Sequence, residues 1–181
     1  LTYINGNEFE IINSQIVTII SWMEDLLNKE TVQRVVKVLS NFDSSLKVEA
    51  LTSSARTAKD AATSLNCEVG AIVKSLLLRT EDNFVLCLVA GDKRCSLNKV
   101  KKILNLNDVS MADADQVKKQ TGFSIGGVSP IAHLNKSKVL IDISLSRYKY
   151  IYAAAGHPNT IFKIDYKQLI KLTEGTAEDI V

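Results

Sequence analysis

The chain has 181 residues, the length of one ordinary domain, and is long enough to bury a substantial core. Hydrophobic residues make up 46% and charged residues 23%, which is typical of a soluble globular protein and excludes collagen-like and disordered classes. The formal net charge of +2 is nearly neutral, so overall charge alone does not indicate a nucleic-acid-binding protein.

Residues 1–30 form a segment of their own at the start of the chain. Apolar side chains recur there at helical spacing, which predicts an amphipathic helix that packs either on the core or on another copy of the chain. Residues 31–42 predict a second helix, since valine and leucine recur at positions i, i+3, i+4 and i+7. Residues 46–51 then alternate as a short strand. We therefore expect an N-terminal extension over 1–30 and one domain over 31–181.

The middle of the chain predicts two capped helices with a β-hairpin between them. Thr57 is a good N-cap residue, and Asp60 stands at position N3 of the helix that follows. Residues 71–78 and 84–90 are apolar strands joined by a short polar turn, which is typical of a hairpin. Ser96 can cap the next helix, whose lysines form either a solvated face or a patch that meets phosphates.

The last third of the chain mixes short helices and strands. A helix is predicted at 113–120, followed by a glycine-rich surface connection at 122–130. Further strands are predicted at 139–143, 150–154 and 160–164, and a last helix from Asp165. Hairpin-linked strands interspersed with helices differ from the strict βαβ order of a doubly wound sheet. The predicted fold class is therefore α+β, with one strongly curved mixed sheet and flanking helices.

Two features of the sequence limit where the protein is expected in the cell and whether it binds a metal or cofactor. No apolar stretch approaches the ~20 residues of a membrane-spanning helix, and no secretory signal pattern is present, so we expect a cytoplasmic protein without a membrane partner. Cys67, Cys87 and Cys95 lack zinc-binding spacing, and no His/Cys/carboxylate cluster follows a metal-ligand pattern. We therefore predict neither a metal nor a cofactor.

Lys74 is the first residue that indicates a binding function. It shares one face of its predicted strand with Ile72, Leu76 and Leu78. A lone ammonium on an apolar face is costly unless it reaches water, a carboxylate or a ligand anion. Lys74 therefore either extends its amine outward from a strand end or binds an anionic ligand.

The glycine-rich connection is the second candidate. Glycines free its backbone and a proline restrains it, so successive N–H groups can form a concave nest for an anion or a developing oxyanion. The alternative is a tight connection without chemistry. The residues concerned are Gly126, Gly127, Val128, Ser129 and Pro130.

His157 is the third candidate, because it lies in a turn at a strand end, where functional groups are often displayed. Loop histidines are nevertheless commonly plain surface residues. No Ser-His-Asp order, HExxH motif or Walker loop is present to indicate a conventional hydrolase or nucleotide enzyme.

Taken in order, these features resemble a known family over residues 31–181. The family comprises the bacterial Cys-tRNA(Pro) deacylases and the editing domain inserted in many prolyl-tRNA synthetases, often called YbaK/ProX-like. The motifs that carry the resemblance lie at residues 54–58, 68–76, 85–92, 121–122, 126–130 and 153–156.

The resemblance implies a partly barrel-like curved sheet and a deacylase that hydrolyses the ester bond of mischarged aminoacyl-tRNA, in particular mischarged tRNA(Pro). Lys74 matches the family lysine that holds a backbone phosphate, and residues 126–130 match the loop whose amides bind the aminoacyl carbonyl. Water attacks, assisted by the ribose 2′-hydroxyl, without a protein nucleophile. Thr57 and His157 are expected to contact substrate, although His157 matches a histidine of only some branches.

The resemblance also sets the expected partners. The 3′ acceptor end of an aminoacyl-tRNA is the expected substrate, prolyl-tRNA synthetase is a further candidate partner, and no DNA is expected. The synthetase domains are absent, so the chain is expected to act in trans. A non-catalytic tRNA-end or synthetase-binding adaptor, and a hydrolase of another small ester, remain as alternatives.

Overall fold

One mixed β-sheet with helices packed around it confirms the predicted α+β class. The structure is a computed structural model that describes residues 6–53 and 57–181, with side chains described from residue 14 onward. Its α-helices within these residues are α1 (Gly6–Leu27), α2 (Glu30–Phe42), α3 (Ala58–Leu65), α4 (Leu97–Leu104), α5 (Ala114–Thr121) and α6 (Tyr166–Thr173). Its strands in the same part of the chain are β1 (Val48–Ala50), β2 (Ile72–Thr80), β3 (Phe84–Ala90), β4 (Val109–Met111), β5 (Lys138–Asp142), β6 (Ile151–Ala154), β7 (Thr160–Ile164) and β8 (Thr176–Glu178).

The strands follow the order β1-β7-β6-β2-β3-β5-β8. Strand β4 lies outside this order and pairs with β2. β2 and β3 form the predicted antiparallel hairpin. β2–β6, β3–β5 and β5–β8 are parallel pairs, whereas β1–β7, β6–β7 and β2–β4 are antiparallel. This mixture follows from the irregular alternation of hairpins and helices in the sequence.

The edge of β2 opposite β3 has a gap. β6 pairs with the first two residues of β2 and β4 pairs with its last three. The carbonyl of Leu77 accepts a hydrogen bond from the amide of Ala112, 3.0 Å away. Among the described strands, none pairs with residues 74–76 on this edge, so the sheet opens at its middle.

Capping residues explain where several helices begin. Thr57 accepts a hydrogen bond from the amide of Asp60, whose carboxylate accepts from the amide of Thr57, so the predicted cap is a complete capping box. The predicted cap of α4 is also confirmed, since the Ser96 hydroxyl accepts from the amide of Lys99. Asp165 caps α6 in the same way as Thr57 caps α3.

Some boundaries differ from the prediction. β4 and β8 are three-residue strands, too short for alternation to indicate them. β5 ends at Asp142 rather than one residue later, because the Asp142 carboxylate accepts a hydrogen bond from the amide of Ser144 and begins a 3-10 helix, Ile143–Arg147.

The predicted N-terminal helix is present as α1, and its apolar side chains are largely unburied. Ile16, Ile19, Ile20 and Trp22 are each 41–50% exposed, whereas Leu26 is buried. The burial is confined to the C-terminal end of α1, while Phe9 and its neighbours before residue 14 lie outside the described side chains. No helix in the described part of the chain combines the length and apolarity needed to cross a membrane.

Candidate active site

A cavity of about 360 Å³ lies at the gap beside β2. Four residues predicted for the site line it, and they come from the start of α3, from β2 and from the connection between α5 and β5: Thr57, Lys74, Gly126 and Val128. Most of the remaining lining is apolar, which excludes water from part of the cavity. The tertiary fold thus brings three distant sequence motifs to one place.

Lys74 is the charged side chain among the described residues that line this cavity. Its ammonium donates a hydrogen bond to the main-chain carbonyl of Lys93, in the turn after β3. Partial burial lowers the pKa of Lys74, the Asp92 carboxylate opposes that effect, and the Arg94 guanidinium adds to it. Lys74 therefore presents a partly desolvated cation, which is suited to an anionic ligand.

An ion pair orders the turn that carries the Lys93 carbonyl. The guanidinium of Arg147 donates to both carboxylate oxygens of Asp92, at 2.8 and 3.0 Å, and this contact lowers the pKa of Asp92. The Nε atom of Arg147 donates to the carbonyl of Ser144 at 2.7 Å, which fixes the guanidinium in place. Arg147 thus holds Asp92, the residue directly before the one whose carbonyl accepts from Lys74.

Residues 122–130, the first part of the connection between α5 and β5, are mostly buried, so the prediction of a surface connection there was wrong. Gly122 ends α5 with a left-handed φ of 78°, and the chain then turns into the core. Phe123 is fully buried and Val128 is 7% exposed, because both belong to the main hydrophobic cluster. Within residues 122–130, only Ser124 and Ile125 are exposed.

The loop amides differ in what they can offer a ligand. Gly126 has a φ of 90°, a conformation that favours glycine. The amide of Gly127 donates to the carbonyl of Ser124 at 2.9 Å, and Pro130 has no N–H group. Ser129 is fully buried and its hydroxyl accepts from the amide of Ile131. Gly126 and Val128 line the cavity, so their amides are the candidate donors.

The residues predicted to contact substrate occupy two places. Thr57 lines the cavity, although its hydroxyl also caps α3. His157 lies in a neighbouring cavity of about 340 Å³, and Pro158 lines both. The Nδ1 atom of His157 accepts a hydrogen bond from the amide of Asn159, which places the proton of the neutral ring on Nε2. Burial is the main cause of its lowered pKa, with Lys29 contributing.

Sequence reasoning missed Ser75, which also lines the cavity. Its side chain lies on the face of β2 opposite Lys74, so strand alternation indicated an ordinary core position. The signal that could have found it is its place directly after Lys74 in a motif. Both residues reach the cavity because the cavity lies at the edge of the strand.

The cavity can stabilise negative charge, and its described lining contains no carboxylate or imidazole. No group of three or more His, Cys, Asp or Glu side chains in the described residues is arranged to hold a metal ion. The arrangement offers one ammonium and main-chain amides, which suits a phosphate next to a polarised carbonyl.

Comparison with known proteins identifies the family of this chain. The family model described as "Aminoacyl-tRNA editing domain" matches residues 52–172. The YwhH protein of Bacillus subtilis (strain 168) is 30% identical over 123 residues, which cover 67% of this chain and 78% of that protein. A proline–tRNA ligase of Caldicellulosiruptor saccharolyticus is 32% identical over 83 residues, 46% of this chain but only 14% of the ligase.

One solved structure shares both fold and sequence with this chain. It is the crystal structure of a candidate trans-editing enzyme for prolyl tRNA synthetase, with a TM-score of 0.80 and 35% sequence identity. The match covers 84% of this chain and 97% of the other. The agreement supports the curved mixed sheet that the sequence predicted.

Proposed function

The chain belongs to the family of aminoacyl-tRNA editing domains, and from this premise we propose that it is a free-standing deacylase. Its substrate would be a mischarged aminoacyl-tRNA, in particular mischarged tRNA(Pro), and its site the cavity beside β2. The observation that carries the proposal is that Lys74, Gly126 and Val128 line one cavity. Prolyl-tRNA synthetase is a candidate partner, and a cytoplasmic location is part of the proposal.

In this mechanism each group has a defined task. The Lys74 ammonium binds a phosphate of the terminal nucleotides, because a charge-assisted contact is strongest in a partly desolvated site. The amides of Gly126 and Val128 face the ester carbonyl and stabilise the oxyanion that forms as water attacks. The bond between the carbonyl carbon and the ribose oxygen then breaks, releasing the amino acid and a tRNA with a free hydroxyl.

The attacking water requires a base. The described lining contains no carboxylate or imidazole, so the ribose 2′-hydroxyl of the substrate is assigned to assist the water. His157 lies in the adjacent cavity and would contact the tRNA near the ester rather than receive the water proton. Thr57, which lines the same cavity as Lys74, would also bind substrate. Residues 1–30 would be an extension to the domain, and they lie outside the family match.

A panel of charged tRNAs tests the proposal. Purified protein is mixed with alanyl-, cysteinyl-, seryl-, threonyl- and prolyl-tRNA(Pro), and release of each amino acid is followed over time. We expect release from one or more mischarged species and none from prolyl-tRNA(Pro). Tight binding without release would support the adaptor alternative, and release from non-tRNA esters alone would support a different hydrolase.

A further inference from the structure

The hydroxyl of Ser75 is a buried polar group that the protein itself leaves without a partner. Its Oγ atom is inaccessible to solvent and makes no hydrogen bond to any described residue, although Ser75 lines the cavity. Buried hydroxyls in proteins are nearly always hydrogen-bonded, because an unmade bond is unfavourable. A buried hydroxyl without a hydrogen-bond partner beside a binding cavity is suited to a ligand that supplies the missing partner.

The main chain of Ser75 faces the same gap. Alternate residues of a strand direct their N–H and C=O groups to opposite edges. Leu77 directs its carbonyl to the β4 edge, where it accepts from the amide of Ala112, so Ser75 directs its own groups to that edge as well. Among the described strands, neither β6 nor β4 extends to this residue. The amide and carbonyl of Ser75 thus face the gap, and its buried hydroxyl lies beside them.

Two of the other three hydroxyls in the described lining already make hydrogen bonds, and the third is the hydroxyl of Tyr152. The Thr57 hydroxyl accepts from the amide of Asp60, and the Thr160 hydroxyl is bonded to the carbonyl of His157. Lys74 can only donate, and the described lining has no carboxylate. An aminoacyl ester brings an α-amino group, a donor that must find neutral oxygen acceptors here.

We propose that Ser75 binds the α-amino group of the aminoacyl moiety through its hydroxyl and its main-chain carbonyl. The aminoacyl group then lies along the open edge of β2 in the manner of an added strand residue. Its carbonyl is directed toward the amides of Gly126 and Val128, across the same cavity. This assignment rests on the proposed function, and it gives the site a way to recognise aminoacyl esters as a class.

Two non-hydrolysable probes test the assignment. The first is 3′-(L-alanylamino)-3′-deoxyadenosine, and the second is its 3′-propionylamino analogue, which lacks only the α-amino group. We expect the wild-type protein to bind the alanyl probe more tightly. Ser75→Ala should weaken that binding about tenfold, the effect of roughly one hydrogen bond, and should leave binding of the propionyl probe unchanged. Calorimetry measures both affinities.

Controls separate binding from folding. Ser75→Ala should melt at the same temperature as the wild type or higher, because it removes a buried group that has no partner. Ser75→Thr keeps the hydroxyl and should retain the preference for the alanyl probe. Ser64→Ala, on α3 and outside the cavity lining, should change neither affinity.

Several results would overturn the assignment. In Ser75→Ala these are an equal loss of affinity for both probes, an unchanged affinity for the alanyl probe, or a lower melting temperature. In the wild type, failure to bind either probe would also overturn it. The release assay with the panel of charged tRNAs tests the proposed function separately. Turnover without Ser75-dependent binding would refute only this inference, whereas Ser75-dependent binding without turnover would refute only the deacylase.

Discussion

Gly127 packs directly against the main chain of His157, so that a Cβ atom at position 127 would lie 2.8 Å from the Cα atom of His157. The contact joins the glycine-rich loop to the turn after β6, two segments that are distant in sequence. The loop is therefore fixed by packing as well as by its own hydrogen bonds.

This contact changes what a substitution at Gly127 should do. For a surface connection, Gly127→Val would lower activity far more than stability. Because Gly127 is buried against main-chain atoms, we expect Gly127→Val to lower the free energy of unfolding by about 1–3 kcal/mol as well as reducing deacylation. Thermal melting and deacylation measured on the same preparation check this. His157→Ala is the control, since it keeps the main-chain contact; an unchanged melting temperature for Gly127→Val would contradict the packing.

Lys74→Ala should reduce kcat/KM for the mischarged tRNA by roughly 10- to 200-fold, the effect of losing one hydrogen bond to a charged group. The fold should survive, because the side chain is only partly buried. Lys93→Ala is a matched control, since it removes a neighbouring ammonium and keeps the carbonyl that accepts from Lys74. Full activity in folded Lys74→Ala would remove this lysine from the site.

Arg147→Met should reduce turnover on the order of tenfold, since displacements of ~1 Å near a reacting group cost up to ~100-fold. Its half-exposed ion pair with Asp92 contributes about 0–1 kcal/mol to stability, so the melting temperature should change little. Arg79→Met is the matched control, because it breaks a comparable ion pair with Asp108. If both variants lose the same activity, the turn after β3 does not position Lys74.

Stability should fall when the pH drops from 7.5 to 5.5. Burial lowers the pKa of His133 and of His157 below the ordinary value of 6.5. At pH values between the lowered pKa and 6.5, the unfolded chain binds more protons than the folded chain does. The free energy of unfolding therefore rises with pH in this window and falls on acidification.

His133→Gln should make the stability less dependent on pH in this window. The Nε2 atom of His133 donates to the carbonyl of Ser129 at 2.6 Å, and glutamine keeps a donor without titrating. Urea unfolding at both pH values measures the difference. An equal acid loss in His133→Gln and wild type would show that the buried ring does not contribute.

Deacylation should be insensitive to chelators. The described residues contain no arrangement of His, Cys, Asp or Glu side chains that could hold a metal ion, and amides can polarise the carbonyl instead. Initial rates with and without EDTA check this. A rate that disappears with EDTA and returns only with zinc would contradict the mechanism.

The sequence by itself determined most of the local structure. The caps at Thr57 and Ser96, the β2–β3 hairpin and the helix α5 were all predicted, because capping, turn and periodicity signals act between residues close in the chain. The family resemblance also indicated Lys74 and the glycine-rich loop before any geometry was known.

Tertiary structure alone decided how these pieces form a site. The gap at residues 74–76 exists because β6 and β4 both pair with β2 but stop short of its middle, and non-local strand pairing leaves no local signal. The same pairing brings Ser75 to the cavity from the face opposite Lys74. Burial of Gly127 against His157 likewise depends on a contact between distant segments. Local sequence patterns carry no record of which distant segment packs against them, so these features appear only in the folded chain.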